Sequence, residues 1–510
     1  MTMLFLDRLQ RHSLSQPDKV AIELLTPAGP QSLRYGELER QVGRCMAWLM
    51  ALGLRPGACA ATQLPRGLAF VQLHLAICRL GAVHLPLNPA FPVAELRYFL
   101  ADSGATLFFH AADHPGTASI AEATPDLTCI ALRDDDSYTR QIDRFEPVAP
   151  PPPRDPQQLA MMLYTSGTTS RPKGARITHG NLTANIEALH EAWGWRQDDV
   201  LLHVLPLFHV HGLTVALHGA LRAGATAVLT PRFDAVSVLD LLESRRFSVF
   251  MGVPTIHRRL YRAAAGRSHD LRHLRLMTSG SDRLPDDLFE GMRQRFGVTL
   301  LERYGMTETG MNLSNPLRGE RRRGSVGLPL PGVEARVVDR RTGAPLPDGA
   351  VGELQIRGPH VCAGYHNQPG QTAAAFTADG WLRTGDLAER APDGYFTLQG
   401  RAKDLIISGG MNVYPPEVER ALLEHPDVRA AAVIGCADEE WGERVVALVV
   451  PEAGSAPGQA DLEAWCRARL APYKVPRVWR SVGSLPQNAL GKVRKAELRE
   501  AFCGQAAVGR

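Results

Sequence analysis

An α/β chain with largely parallel sheets is the fold class this sequence predicts, and three observations carry it. Short apolar runs alternate with helical patterns from the N-terminus onward, the order expected when parallel strands are joined by crossover helices. From about Gly327 the texture changes to short strands broken by turns at Pro331, Thr342-Gly343, Asp379-Gly380 and Asp393-Gly394, which predicts a small β-rich subdomain. After Gly400 helices and strands alternate again, which predicts a small α+β C-terminal domain of residues 401–510 behind a large N-terminal domain of residues 1–400.

Each element has its own signal. The opening MTMLFLDRLQRHSL carries Asp7 and lacks a long apolar core, so it reads as a helix start rather than a signal peptide. Residues 150–153 are all proline and predict a stiff extended connector. LAMMLY, residues 159–164, reads as a buried strand, and a Gly/Ser/Thr loop follows it. Thr178 then precedes Leu182, Ile186, Leu189 and Trp193, which recur at helical spacing. Strands are expected over 200–205, 225–229, 247–253 and 274–278, with a helix over 213–221. In the last section 416–423 reads as a helix and 428–435 as a strand.

Composition excludes several classes. The chain has 510 residues, 45% hydrophobic and 22% charged, an ordinary globular make-up rather than a disordered one. Its formal net charge of +4 is too small for a dedicated nucleic-acid or anionic-membrane surface. No run approaches the roughly 18 apolar residues of a membrane span. The eight cysteines (Cys45, Cys59, Cys78, Cys129, Cys362, Cys436, Cys466 and Cys503) show no CxxC or zinc-finger spacing. Scattered thiols fit a reducing cytosol better than a disulfide framework, so a cytoplasmic location is expected.

Lysine usage is informative. Only six lysines (Lys19, Lys173, Lys403, Lys474, Lys492 and Lys495) stand among the 57 basic residues. Where arginine is so favoured, a retained lysine suggests a site that needs a compact ammonium. Lys173 and Lys492 both lie beside glycine in phosphate-like contexts. Lys173 closes YTSGTTSRPKG, residues 164–174, a glycine and hydroxyl loop whose N–H groups suit a polyphosphate. The spacing differs from GxxxxGK[ST], because Pro172 precedes the lysine and Gly174 follows it. His209 and His211 form an HxH, but no third ligand stands in a recognisable zinc pattern.

The full 164–174 string resembles the phosphate loop of the adenylate-forming (acyl-CoA synthetase) superfamily, departing at Ser170, where the family usually has glycine. The resemblance runs through the chain in family order: LPLFHVHG (205–212), SGSDRLP (279–285), ERYGMTET (302–309), WLRTGDLA (381–388), GRAKDLIISGGMNVYPPEVE (400–419) and LPQNALGKVRK (485–495). It implies that a carboxylate and ATP give an acyl-adenylate and pyrophosphate, followed by thioester formation with coenzyme A. It also implies a mobile C-terminal domain.

By this resemblance ATP would be held by Thr165, Ser166, Gly167, Thr168, Thr169 and Lys173, and by the adenine-lining Ser279, Gly280 and Ser281. Glu302, Arg303, Tyr304, Gly305, Met306 and Thr307 complete the nucleotide set, with Tyr304 stacked on adenine and Thr307 on the α-phosphate. Asp386 and Arg401 would take the ribose. Lys492 would neutralise charge building on the α-phosphate, and Glu308 would offer a hard oxygen to Mg²⁺. His209 would sit near the substrate carboxylate. Lys403 marks the hinge, whose rotation would exchange Lys492 for the Ser408, Gly409 and Gly410 loop that meets coenzyme A.

Substrate choice turns on Arg303. Fatty- and aryl-acid members typically carry a small or neutral residue there, and a buried cation is costly without an anion. Residues 302–316 and 324–333 with HVHGL closely resemble malonyl-CoA synthetases, which implies a malonate or methylmalonate whose distal carboxylate meets Arg303, with His209 and Ser279 nearby. Asp282 and Arg283 depart from that family's string. Two readings of Arg303 stand: a ligand cation, or a structural partner of Glu302 or another acid. Alternatives for the whole chain are a ligase for a short-chain or aromatic monocarboxylic acid, or a stand-alone adenylation protein loading a separate carrier protein.

Overall fold

In the computed structural model the described residues are 3–114, 116–133, 135–149, 155–165, 172–266, 269–488 and 492–503. The proline run at 150–153 lies outside them. The chain forms two compact units: Met1–Arg323 with Gly327–Glu334 and Ile356–Leu382, and Gly324–Val326 with Ala335–Gln355 and Arg383–Arg510.

The first unit holds two twisted sheets. One has six strands in the order Thr128–Leu132, Ala105–Ala111, Cys59–Gln63, Val83–Pro86, Leu159–Thr165 and Lys173–Thr178. All its neighbours are parallel except the last pair, a hairpin whose register sets Thr165 opposite Lys173. The other sheet has nine strands. Its parallel centre runs through Val20–Thr26, Thr226–Leu229, Val200–His203, Val249–Gly252, Leu276–Ser279 and Leu301–Met306. The strands are short and buried on both faces, the pattern of a sheet covered on each side. Phe247, Phe250, Met277, Phe289, Met292 and Phe296 pack beneath them in one cluster, each burial contributing roughly 1.5–3 kcal/mol.

The helix predicted after Thr178 is His179–Trp193. Thr178 caps it by accepting from Asn181 N–H, and Asn181 returns a bond to Thr178 N–H. Its buried stripe includes Leu182, Ile186, Leu189 and Trp193, as the spacing predicts, and Gly194 ends it at φ +53°. The helix expected over 213–221 differs: the backbone winds as a π-helix over His211–Leu217 before the α-helix His218–Ala223. Such winding is uncommon and has no propensity signal to read.

The second unit carries a four-stranded sheet (Glu334–Val338, Val351–Arg357, Leu382–Arg390, Phe396–Arg401) and a five-stranded one around the long antiparallel pair Val428–Asp438 and Gly442–Pro451. The free-thiol expectation is corrected here. Cys436 and Cys503 form a disulfide, because the helix Lys495–Cys503 returns to the Val428–Asp438 strand. A separation of 67 residues gave no sequence cue. Among the described residues no helix is long and apolar enough to cross a membrane.

A run of buried side chains joins strand and helix in the first unit. Thr62 Oγ1 meets His84 Nε2 at 2.9 Å, His84 Nδ1 meets His74 Nδ1 at 2.8 Å, and His74 Nε2 meets His218 Nε2 at 2.7 Å. His74 uses both ring nitrogens between two other imidazoles, so each link needs one donor and one acceptor, and burial keeps the rings neutral. Burial pulls His74 down to about 3 and holds His84 and His218 well below the ordinary 6.5. Below pH 6.5 the unfolded chain therefore binds protons that the folded chain refuses, and stability rises with pH. Between the two pKa values each such ring costs about 1.4 kcal/mol per pH unit. Urea midpoints measured at pH 7, 6 and 5 should fall steeply, mostly below pH 6.5. A flat profile would show that the imidazole run is charged in the fold.

Candidate active site

The C-terminal ends of parallel strands are where α/β sheets gather ligands, and the predicted residues of the first unit collect there. Leu159–Thr165 and Lys173–Thr178 carry Thr165 and Lys173 to the mouth of their hairpin. Ser166, Gly167, Thr168, Thr169 and Ser170 lie outside the described residues. Val200–His203 leads into the segment with His209 and His211, Leu276–Ser279 into Gly280 and Ser281, and Leu301–Met306 into Thr307 and Glu308. Glycine is required in this last hairpin, since a Cβ at Gly305 would stand 2.2 Å from Gly310 O.

Arg303 is the electrostatic centre of this group. Its residue exposure is 2%, and Nε, Nη1 and Nη2 all lack a hydrogen-bond partner. Burial lowers its pKa to about 9, which still leaves the group cationic at neutral pH. The guanidinium lies against Gly280, where a Cβ would fall 2.5 Å from Cζ and Nη1. Alternation along the strand sends Glu302 to the opposite face. Glu302 Oε1 accepts from Leu284 N–H at 3.0 Å, and burial raises this acid to about 8, so it is mostly uncharged at pH 7. Among the described residues the structural pairing of Arg303 with Glu302 or another acid is therefore not made.

The surroundings are polar but neutral. His211 Nδ1 meets Ser281 Oγ at 3.3 Å, and burial first, then the Arg303 charge, holds His211 well below 6.5. Ser281 adopts φ +69°, an uncommon backbone for a non-glycine residue. Burial takes His209 to about 4 and leaves its Nε2 unpartnered. The Thr278 and Ser279 hydroxyls are buried and also unpartnered. His203, bonded to Gly212 O at 2.8 Å, and His257, bonded to Thr278 O at 3.0 Å, support this wall. Thr278, His203 and His257 were not legible in the sequence, since they come from separate strands and helices. A buried charge, unpaired hydroxyls and neutral imidazoles together have the chemistry to accept a small anion.

Tyr304 is 7% exposed and its hydroxyl lies 3.9 Å from Met306 Sδ. Glu308 is buried, and Oε1 accepts from the Tyr365 hydroxyl at 2.9 Å. Tyr365 is a second contact that sequence reading missed, being 57 residues away with no local motif. A cavity of about 530 Å³ lined by Arg272, Arg275, Arg293 and Arg321 lies at the opposite, N-terminal ends of these strands. The first three of those arginines already pair with Asp270, Asp199 and Glu290.

The second unit brings its own predicted residues together. The Leu382–Arg390 and Phe396–Arg401 strands pair Asp386 with Arg401 in register, and Arg401 Nε lies 2.7 Å from Asp386 Oδ1. Lys403 follows directly. Burial, opposed by Asp404, lowers its pKa, and the cations Arg401 and Lys492 add to that effect. Ile406–Ser408 and Met411–Val413 form a hairpin whose two loop residues, Gly409 and Gly410, have φ +59° and +76°. A Cβ at Gly409 would fall 2.9 Å from the Trp441 ring. Lys492 N–H donates to Asn488 Oδ1 at 2.9 Å, which ties the lysine backbone to Asn488.

Comparison with known proteins places this geometry. Residues 9–366 match the AMP-binding enzyme family, and residues 417–492 match the AMP-binding enzyme C-terminal domain. A feruloyl-CoA synthase of Amycolatopsis sp is 37% identical over 93% of this chain and 95% of its own. The mitochondrial malonate–CoA ligase ACSF3 of Mus musculus is 40% identical over 82% of this chain and 77% of its own. The crystal structure of ATP-bound MatB from Rhodopseudomonas palustris superposes with a TM-score of 0.93 at 39% identity, over 99% of each chain. The first two relatives differ in acid but share the ligation to coenzyme A. The chain belongs to the AMP-binding enzyme family and is an adenylate-forming acyl-CoA synthetase, an AMP-forming acid–thiol ligase that uses a small carboxylate, ATP and coenzyme A.

Proposed function

We propose that the acid is a small dicarboxylate, malonate or methylmalonate, and that the observation carrying this reading is the buried, unpartnered guanidinium of Arg303. One carboxylate of such a substrate reacts; the other pairs with Arg303 in a two-pronged, charge-assisted contact. A monocarboxylate with an alkyl or aryl tail would leave the cation buried without an acceptor, which is the costly arrangement. Gly280 supports the reading because it leaves room for the guanidinium plane, and Ser279 and His209 supply neutral polar groups for carboxylate oxygens.

In the first step a carboxylate oxygen attacks the α-phosphorus and pyrophosphate leaves. Thr307 bonds the α-phosphate, and Lys492 neutralises the negative charge that grows there. Thr165, Lys173 and the loop between them hold the outer phosphates, Tyr304 stacks on adenine, and Asp386 with Arg401 takes the ribose. Glu308, a buried carboxylate beside the phosphate-loop lysine's strand, has the hard oxygen that suits Mg²⁺. When bound, the ion offsets phosphate charge. In the second step the coenzyme A sulfur attacks the acyl carbon and AMP leaves. Rotation of residues 401–510 about Lys403 exchanges Lys492 for the loop of Ser408, Gly409 and Gly410, whose bare backbone admits the pantetheine arm.

Two predictions follow from these roles. Wild-type enzyme should use malonate and methylmalonate far better than butyrate or benzoate. Arg303→Met should lower kcat/KM for malonate by the equivalent of about 2–5 kcal/mol and spare a neutral acid of similar length, with a thermal melt no lower than that of wild type. A wild-type preference for butyrate or benzoate would end the dicarboxylate reading. Separately, Lys492→Ala should sharply reduce acyl-adenylate formation, read as pyrophosphate release, yet leave thioester formation from supplied acyl-adenylate largely intact. Equal loss in both half-reactions would give Lys492 a folding role instead.

A further inference from the structure

Tyr365 occupies the point in the first unit where the phosphate-loop strand meets Glu308. Its backbone is tied on both sides. Arg176 N–H donates to Gly364 O and Ala363 N–H to Arg176 O, each at 2.9 Å, and His366 N–H donates to Gly174 O at 2.8 Å. Tyr365 itself bridges Ala175 across this antiparallel pairing, and its N–H donates to Thr372 Oγ1 at 2.9 Å. On the other side Cys362 N–H donates to Glu308 O at 2.8 Å. The segment therefore fixes the exit of the phosphate loop and the backbone of Glu308 to one another.

The side chain completes the link. The Tyr365 hydroxyl donates to Glu308 Oε1 at 2.9 Å, and Lys173 Nζ lies 4.9 Å from the centre of the Tyr365 ring. Lys173 Nζ also donates to Gln371 Oε1 at 2.9 Å. A phenol donor on one carboxylate oxygen fixes the plane of the group and so the direction of its lone pairs. A cation on the ring face is held without a counter-ion. The Tyr365 side chain thus touches both the ammonium, on its ring, and the carboxylate, through its hydroxyl.

We propose that Tyr365 is a positioning residue: its hydroxyl orients Glu308 toward the divalent cation carried by ATP, and its ring holds Lys173 available to the same phosphates. This deepens the reading of Glu308 and Lys173 given above and rests on it. The test is binding rather than turnover alone. Mn²⁺ is titrated by electron paramagnetic resonance against the enzyme with a non-hydrolysable ATP analogue, and the analogue alone is titrated calorimetrically without metal. Tyr365→Phe should weaken Mn²⁺ binding roughly 10- to 100-fold, the usual effect of losing a partner behind a metal ligand. Metal-free analogue binding should stay at the wild-type value, as should thioester formation from supplied acyl-adenylate. Tyr365→Leu, which also removes the ring, should additionally weaken metal-free binding. Wild-type Mn²⁺ affinity in Tyr365→Phe, with Mn²⁺ binding lost in Glu308→Gln, would overturn the proposal and leave the Glu308 reading standing. Wild-type affinity in Glu308→Gln would overturn both.

Discussion

A guanidinium taken out of water and given no hydrogen-bond acceptor is the constraint around which the strand ends of the nine-stranded sheet are arranged. Charge at Arg303 is expensive to bury, and the fold does not relieve it with an acid. The neighbouring carboxyl points the other way and is held mostly protonated by burial, while the imidazoles nearby are held neutral. The strand must therefore be rigid enough to keep the group where it is. That rigidity comes from the parallel register with Leu276–Ser279, from the glycine that lets the guanidinium lie flat, and from the aromatic and sulfur-bearing core below. Under the proposed reading, stability not gained by pairing Arg303 is available as affinity for an anion.

The same economy of parts is seen elsewhere. Short hairpins carry most of the residues proposed for the chemistry: Thr165 with Lys173, Thr307 with Glu308, Asp386 with Arg401, and the paired glycines at 409 and 410. Antiparallel pairing fixes the separation of residues at a hairpin mouth to within a hydrogen bond, so two groups can be placed together by a few residues of sequence. Asp386 and Arg401 show this directly, at 2.7 Å across one register pair. Placement between distant segments needs more. The Tyr365 region achieves it by adding a strand-like bridge to the phosphate-loop hairpin and a backbone bond to Glu308.

Much of this was legible in the sequence because it is local. Alternating apolar runs and helical periods gave the α/β class, and Thr178 with the Leu182, Ile186, Leu189 and Trp193 stripe gave a helix to within a residue or two. The glycine and hydroxyl loop, the retained lysines and the motif order pointed to adenylate-forming chemistry, since backbone approach to phosphate and a compact ammonium leave marks in adjacent residues. The π-helix at His211–Leu217 and the Cys436–Cys503 link left none. Both depend on what a segment packs against.

The sequence by itself determined the class of fold, the family, and the oddity of an arginine before the tyrosine of a nucleotide motif. It left open whether that arginine paired with an acid. Only the tertiary structure decided this, because strand alternation sends Glu302 and Arg303 to opposite faces and, among the described residues, no acid pairs with the guanidinium. The polar wall of Thr278, His203 and His257, and the Tyr365 contact to Glu308, were likewise decided in three dimensions. Their partners are far apart in the chain, and a hydrogen bond depends on distance and direction in space rather than on separation in sequence.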